Sequence, residues 1–375
     1  MSEFRKKRVL IATIPGDVHA GAVAHALREK GHEAVLWCGS DFPSRQEISI
    51  DPLAAENATV TISDEGGHIV GDAKYDAVWH RRPSPPIAPE GLHPGDKILV
   101  EQEAEAMMES LWHFLGSNAF WVNPRYASER ANSKALQLRE ASRAGFSVPR
   151  TLMSNDPERV RNLFQACDGR LVYKLQRPAS WRLPDGGLAG AYTAPLEAHH
   201  LRDDNIRNCP AIFQERIEKA YELRVTCMGA TCVAIKLDSQ ASRRGRVDWR
   251  TAGVDGDLKQ EPYTLPQDIE RACRELLARL GLVFACIDLC VTPEGEYVFL
   301  EANEAGQFLW VEQRVPDLPI LDIFCDFLVS ADPAFVYDFQ KSNNVMPLAD
   351  FKEEDWLQRQ RDAHGEPFCE PAVPD

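Results

Sequence analysis

Asp288, Glu301 and Asn303 offer oxygen ligands within the stretch IDLCVTPEGEYVFLEANEAG, Ile287 to Gly306, among apolar and β-branched residues that read as buried strand. Val291, Thr292, Tyr297, Val298 and Phe299 flank Pro293-Glu294-Gly295-Glu296, so two strands closed by a tight turn at Glu294-Gly295 are expected. Glycine supplies the positive φ that such a turn requires. The turn sets Asp288 directly across from Glu301, with Cβ atoms about 5 Å apart. Period-two alternation puts Asp288 on one face with Phe284, Cys286 and Cys290, and Glu301 on the matching face with Phe299 and Asn303. Two like charges facing each other on a half-buried sheet destabilise it unless something neutralises them. A hard divalent cation such as Mg2+ would do so, because it takes carboxylate and amide oxygens and keeps places for water and phosphate. The alternative is a solvated edge hairpin with its acids turned to water.

Other residues suit an anionic partner. Lys174, alone among apolar residues in Leu171-Val172-Tyr173-Lys174-Leu175, can meet phosphate as a point charge, or can snorkel to the surface. Gly186, Gly187 and Gly190, in RPASWRLPDGGLAGAY, would let backbone N–H groups close over phosphates, or form a plain connection. Glu222 and Arg224 are two apart in YELRV and share a strand face, and a guanidinium fork matches a carboxylate or a phosphoryl group. Basic clusters at Arg81-Arg82 and through Arg243, Arg244, Arg246 and Arg250 leave room for an anionic ligand, or are solvated loops.

The elements that must position these residues alternate. Arg8 to Ile14 reads as a strand, His19 to Lys30 as a helix ending at Gly31, Glu33 to Cys38 and Tyr75 to His80 as strands, and a long helix is expected around Leu99 to Leu115. This is the beginning of a parallel α/β domain whose first turn carries neither GxGxxG nor a P-loop. A second unit starts near Asn123-Pro124, with one helix from Ala127 to Ala144, a strand at Val148 to Met153 and another at Arg170 to Gln176. A third, richer in strands, runs through Ala211 to Ile217, a hairpin turning at Gly229, the helix Gln267 to Leu280 and the acid-bearing hairpin. The acidic segment after Ala331 is expected to pack loosely or to wrap the surface.

At 375 residues the chain has room for two or three domains. No apolar run approaches a membrane span, and Val9 to Ile14 stops at Pro15-Gly16-Asp17, as a first strand does and a signal peptide does not. The ten cysteines form no CxxC pair and read as small buried residues of a reduced cytoplasmic protein. A net charge of −15 opposes binding to nucleic acid.

The order of these features resembles the ATP-grasp ligases. It comprises Asn132-Ser133-Lys134, Tyr173-Lys174, a Gly-rich loop, Gln214-Glu215-Arg216-Ile217, Glu222-Leu223-Arg224 and Asp288…Glu301-x-Asn303. VWHRRP at Val78 to Pro83, WVNP at Trp121 to Pro124, ANSKALQLREASRAGFSVPRTLMSNDPERV and VDWR at Val247 to Arg250 are similar to the microviridin-type, graspetide-forming peptide ligases.

The resemblance implies an α/β, α+β architecture: an ATP-grasp fold preceded by a Rossmann-like pre-ATP-grasp domain. The implied boundaries are 1–122 for that domain, 123–210 and 211–330 for the two ATP-grasp subdomains, and 331–375 for a C-terminal extension. It implies ATP with Lys134, Lys174, Gly186 and Gly187 on its phosphates, Glu215, Arg216 and Ile217 at the adenine edge, and Glu222 on the ribose, where several relatives carry Asp. Two Mg2+ ions would lie on Asp288, Glu301 and Asn303. Arg224 and Lys174 would be catalytic, and Arg82, Arg224 and Arg250 would face the substrate.

The implied reaction activates Asp or Glu side chains of a ribosomal precursor peptide as acyl phosphates, which Ser, Thr or Lys side chains capture to close macrocycles. A leader segment on the peptide and a homodimeric enzyme belong to the same picture. The competing reading is a ligase that joins free amino acids or extends a protein tail, as glutamate ligases and glutathione synthetases do. A non-enzymatic nucleotide sensor would have no use for the opposed acids.

Overall fold

The computed structural model describes residues 5–53, 59–64, 67–70, 74–82, 84–177, 180–182, 188–190, 193–241, 245–249, 258–340 and 346–364. Two compact units emerge. The first comprises Met1–Arg125, Met228–Thr231 and Leu309–Pro371, the second Tyr126–Cys227, Cys232–Phe308 and Ala372–Asp375.

In the first unit, β1 (Arg8–Thr13) leads into α1 (Val18–Glu29), whose N-terminus is capped by Asp17, which accepts from the backbone N–H groups of His19 and Ala20. β2 (Glu33–Cys38) then pairs parallel with β1. Next come β3 (Gln46–Asp51), β4 (Thr59–Asp64) and β5 (Gly67–Val70), an antiparallel meander that the sequence reading passed over. Its signal was the alternation of Ile48 with Ile50 and of Val60 with Ile62, which buries Val60 and Ile62 against Trp37 and Leu10. β6 (Ala77–His80), α2 (Pro94–Leu111) and β7 (Phe120–Val122) complete a parallel sheet of order β2-β1-β6-β7. The helix starts earlier than expected because Pro94 occupies its first turn and His93 accepts from Gly95 N–H.

The second unit begins with α3 (Arg125–Ala131) and α4 (Lys134–Arg143), where the sequence suggested one continuous helix. Ser133 makes the break: its backbone is extended and its hydroxyl accepts from Leu136 N–H, so a new helix begins at Lys134. The following elements are β8 (Thr151–Ser154), α5 (Pro157–Ala166), β9 (Leu171–Lys174), β10 (Ser180–Arg182), β11 (Leu188–Gly190), β12 (Ala194–Leu196), α6 (Asp203–Asn208) and β13 (Ala211–Glu215). They give an antiparallel sheet of order β12-β9-β13-β8 and a separate β10–β11 pair.

A second sheet, of order β16-β15-β14-β17-β18, is built from β14 (Tyr221–Met228), β15 (Thr231–Leu237), β16 (Gln260–Tyr263), β17 (Phe284–Val291) and β18 (Tyr297–Asn303). Between β16 and β17 runs α7 (Gln267–Leu280), with the bounds that its apolar spacing and Gly281 predict. Alternation splits this sheet cleanly. Leu223, Val225, Ala285, Ile287, Leu289 and Val291 pack with Leu276, Leu277 and Leu280 of α7, leaving Glu222, Arg224 and Asp288 for the other face.

The chain then returns to the first unit through α8 (Trp310–Arg314), α9 (Ile320–Ser330) and α10 (Glu353–His364). The acidic segment is not a loose extension over its described part. Phe335, Tyr337, Met346, Leu348 and Trp356 are buried, and Trp356 lies so close to Gly21 of α1 that a Cβ there would come within 2.5 Å of the indole. Spaced apolar anchors decide this packing, while the acids of the first turn of α10 sit where the helix dipole favours them. No helix among the described residues is long and apolar enough to cross a membrane.

Candidate active site

Asp288 faces Glu301 across β17 and β18, and Cys286 faces Asn303 two pairs along. The route to that register differs from the expected one. The turn is a three-residue loop, Pro293-Glu294-Gly295, closed by Thr292 N–H on Glu296 O at 3.0 Å, with Gly295 at φ +86°. A bulge at Leu300 then compensates, because pairing passes from Asp288–Glu301 to Leu289–Phe299. The bulge also corrects the expected faces. Phe299 joins Ala302 in the core against α7, while Glu301 follows Asp288 to the opposite side.

Each carboxylate has a cation of its own. Arg224 Nη1 donates to both oxygens of Asp288 at 3.0 Å, with Arg224 only 2% and Asp288 3% exposed. Arg224 Nη2 donates to Gln307 O at 2.9 Å, and a Cβ at Gly306 would lie 3.1 Å from that nitrogen and 2.7 Å from Cys286 Cβ. Gly306 is therefore a close-approach glycine that lets the segment after β18 lie against the guanidinium. Lys134, the first residue of α4, places Nζ 2.5 Å from Glu301 Oε2, and Asn303 Nδ2 lies 3.5 Å from Glu301 Oε1.

Gln137, one turn on from Lys134, clamps α4 to the edge strand: Nε2 donates to Ala302 O at 2.7 Å and Oε1 accepts from Ala302 N–H at 3.0 Å. The donors here are all hard oxygens, two carboxylates and an amide, which fits a divalent cation of the Mg2+ type. Among the described residues no group of three or more His, Cys, Asp or Glu is arranged for a metal, so an ion at this place would complete its shell with phosphate and water oxygens.

Glu222, 3% exposed, lies on the same face, and Lys219 Nζ bridges its Oε1 at 3.0 Å and Val247 O at 2.8 Å. Burial pushes the Glu222 carboxyl above its usual range, against the pull of Lys219, and the neighbouring Asp288 charge adds to the rise. The Cys290 thiol, raised to about 12 by burial, feels Lys219, Glu222 and Lys174 together, which gathers strand β9 and strand β14 around one location. Lys174 itself is half-buried and pairs in register with Ile212 of β13.

The Glu215 carboxylate is held in an ion pair. Arg150 holds it through Nε at 2.9 Å and Nη2 at 3.0 Å, and Arg216 N–H is bonded to Arg170 O. A ligand at 215–217 would therefore meet main chain rather than the Glu215 side chain.

Arg82 belongs to the first unit, where its charge acts on Asp17 and His19 beside the buried pair of Arg81 and Asp17. Gly186, Gly187 and Arg250 lie outside the described residues, as do Arg243 and Arg244. Sequence reasoning missed Lys219, Gln137 and Gly306. Lys219 could have been found as a lysine three residues before Glu222, whereas Gln137 looks like any polar helix residue.

No protein-family model matches the sequence, and no curated protein matches it. Solved structures do. A RiPP-associated ATP-grasp ligase of Chryseobacterium gregarium, in complex with ADP and a leader and core peptide, superposes with TM-score 0.80 at 27% identity, over 87% of this chain and 98% of that one. The macrocyclase MdnC of Microcystis aeruginosa, bound with precursor peptide MdnA, gives 0.74 at 26% over 87% and 100%, and the macrocyclase MdnB of the same organism 0.71 at 29% over 86% and 99%. The chain thus has the ATP-grasp fold and resembles RiPP-associated ATP-grasp ligases over most of its length.

Proposed function

We propose that this chain is an ATP-dependent ligase that activates Asp or Glu side chains of a ribosomally made precursor peptide and joins them to Ser or Thr hydroxyls as esters, or to Lys amines as amides, closing macrocycles. The observation that carries the reading is the polar face of the second sheet. It opposes Asp288 to Glu301, gives each its own cation, and belongs to a chain whose likeness to leader- and core-bound ligases includes the N-terminal unit. The competitor ligases share the nucleotide site, so the extent of that likeness favours the peptide macrocyclase.

A carboxylate is a poor electrophile, and transfer of the ATP γ-phosphoryl group to it gives an acyl phosphate that a hydroxyl or amine attacks, with phosphate leaving. The protein's part is positioning and charge neutralisation. Lys134 and Lys174 neutralise phosphate oxygens, and Lys219 and Glu222 shape the pocket beside them. Main chain at 215–217 meets the base. Asp288, Glu301 and Asn303 would hold Mg2+, which supplies charge stabilisation at the phosphates when bound. Arg224, held rigid by Asp288 and Gln307, presents its planar fork toward the substrate carboxylate or the transferring group. Arg82 and Arg250 are retained as substrate contacts in this reading.

The test is mass spectrometry after incubation with ATP, Mg2+ and a candidate precursor whose C-terminal region repeats Thr or Ser with Asp or Glu. Each bond should convert one ATP to ADP and lower the peptide mass by one water, with no free amino acid required and with dependence on the leader. Mass gains equal to added amino acids would transfer the chain to the competitor class. A cytoplasmic setting and a homodimer complete the reading, the latter checked by light scattering on the eluting protein.

A further inference from the structure

Away from the polar face, three free thiols meet inside the second unit. Cys227 at the end of β14 and Cys232 at the start of β15 flank a tight turn at Gly229, φ +58°, and bring their Sγ atoms to 3.2 Å. Cys273 of α7 lies in the same core cluster. Cys227 and Cys273 are wholly buried, whereas Cys232 keeps partial access to solvent.

Facing cysteines on adjacent antiparallel strands have Cα separations of about 4.5–5.5 Å, inside the range a disulfide spans. Burial of sulfur in a core needs only one small residue, so a second thiol at contact distance exceeds what packing requires. Their protonation is unequal. Cys232 is lowered below the ordinary thiol value, chiefly by Cys227 and Cys273 with help from Arg274, while those two neighbours are pushed well above it. The accessible member is thus the one in which the thiolate is favoured, and its neighbour lies at contact distance, the arrangement of an attacking and a resolving cysteine.

We infer that Cys232 and Cys227 form a peroxide-oxidised thiol pair, in which a hydroperoxide converts both to one disulfide. The Cys232 thiolate attacks the peroxide O–O bond, forming a sulfenic acid as the hydroperoxide leaves as hydroxide or alkoxide. Cys227 sulfur then attacks the sulfenic sulfur, its proton leaves with the expelled hydroxyl as water, and one S–S bond forms. Two thiols are oxidised and one peroxide is reduced. The site is independent of the ligase reading, and its Cys227 lies on the strand that carries Glu222 and Arg224.

The experiment treats the fully reduced, full-length protein with hydrogen peroxide, blocks remaining thiols with an alkylating reagent, and maps cysteine-containing peptides by mass spectrometry. The expected product is a Cys227–Cys232 linkage, seen as the loss of two hydrogen masses and reversed by dithiothreitol. Under the same treatment Cys232→Ser should leave Cys227 alkylated, and Cys209→Ser, which removes the one exposed thiol among the described residues, should leave the linkage unchanged. Recovery of Cys227 and Cys232 as alkylated thiols, sulfinic acid at Cys232, or a bridge from Cys232 to any other cysteine would overturn the inference.

Discussion

At the scale of single residues, the two opposed carboxylates answer differently to the loss of charge. Glu301→Gln removes one half-buried charge while keeping shape and the contact with Lys134, so the thermal transition should shift little. Magnesium-dependent ATP turnover should fall by orders of magnitude, because the hard-oxygen set loses a charge it needs. Near-normal ATP consumption by a folded Glu301→Gln protein would remove the core of the proposed site. Arg224→Met has the opposite signature on stability. It strands the Asp288 carboxylate at 3% exposure without its bidentate partner, and breaking a buried pair in this way costs about 3–5 kcal/mol. Urea unfolding of the two variants should separate them, and equal midpoints would show that Asp288 is neutralised by something other than Arg224.

Among the elements, the hairpin of β17 and β18 and the helix α7 were the most legible, since period-two and period-3.6 spacing in those segments agree with their turn residues. The two-residue turn was misread, because Glu294-Gly295 fits a three-residue loop as well, and a bulge leaves no mark on composition. The facing of Asp288 and Glu301 came out right only because the longer turn and the bulge cancel. Illegible too was the break at Ser133, where a helix former follows a cap, and the clamp by Gln137, whose meaning exists only once α4 lies beside β18. That clamp carries a prediction: Gln137→Leu would strand the buried N–H and C=O of Ala302, at about 1–3 kcal/mol for each group. Hydrogen exchange at Ala302 should rise in that variant, and unchanged protection would mean that another group covers the strand edge.

For the molecule as a whole, the charge of −15 says little about which groups resist acid. Two half-buried histidines do. His19 is lowered to about 3 by burial with Arg81 adding to the effect, and His80 to about 4 by burial and then Arg125. Both stay neutral in the fold while the unfolded chain takes up their protons below about 6.5, so stability is lost as pH falls from about 6.5 toward about 4. Each contributes up to about 1.4 kcal/mol per pH unit in that window. His80→Phe keeps a ring against Trp112, now 4.9 Å away edge-on, and should leave neutral stability near its original value while flattening the acid slope by up to one proton. Parallel slopes in urea titrations at pH 7 and pH 5 would show that His80 is protonated in the fold.

Leu300 separates two properties that a sheet ordinarily binds together, namely which side chains oppose each other and at what angle they do so. It is the surplus residue of β18: excise it and every pair survives, Phe299 still against Leu289, Glu301 still against Asp288 and Asn303 still against Cys286. What vanishes is the local coiling that a bulge imposes, and with it the aim of Glu301. A chain lacking Leu300 should fold with an unaltered far-ultraviolet spectrum yet turn over ATP slowly, its acids present and misaligned. Full turnover from the shortened strand would mean that opposition alone suffices and that the extra residue is idle.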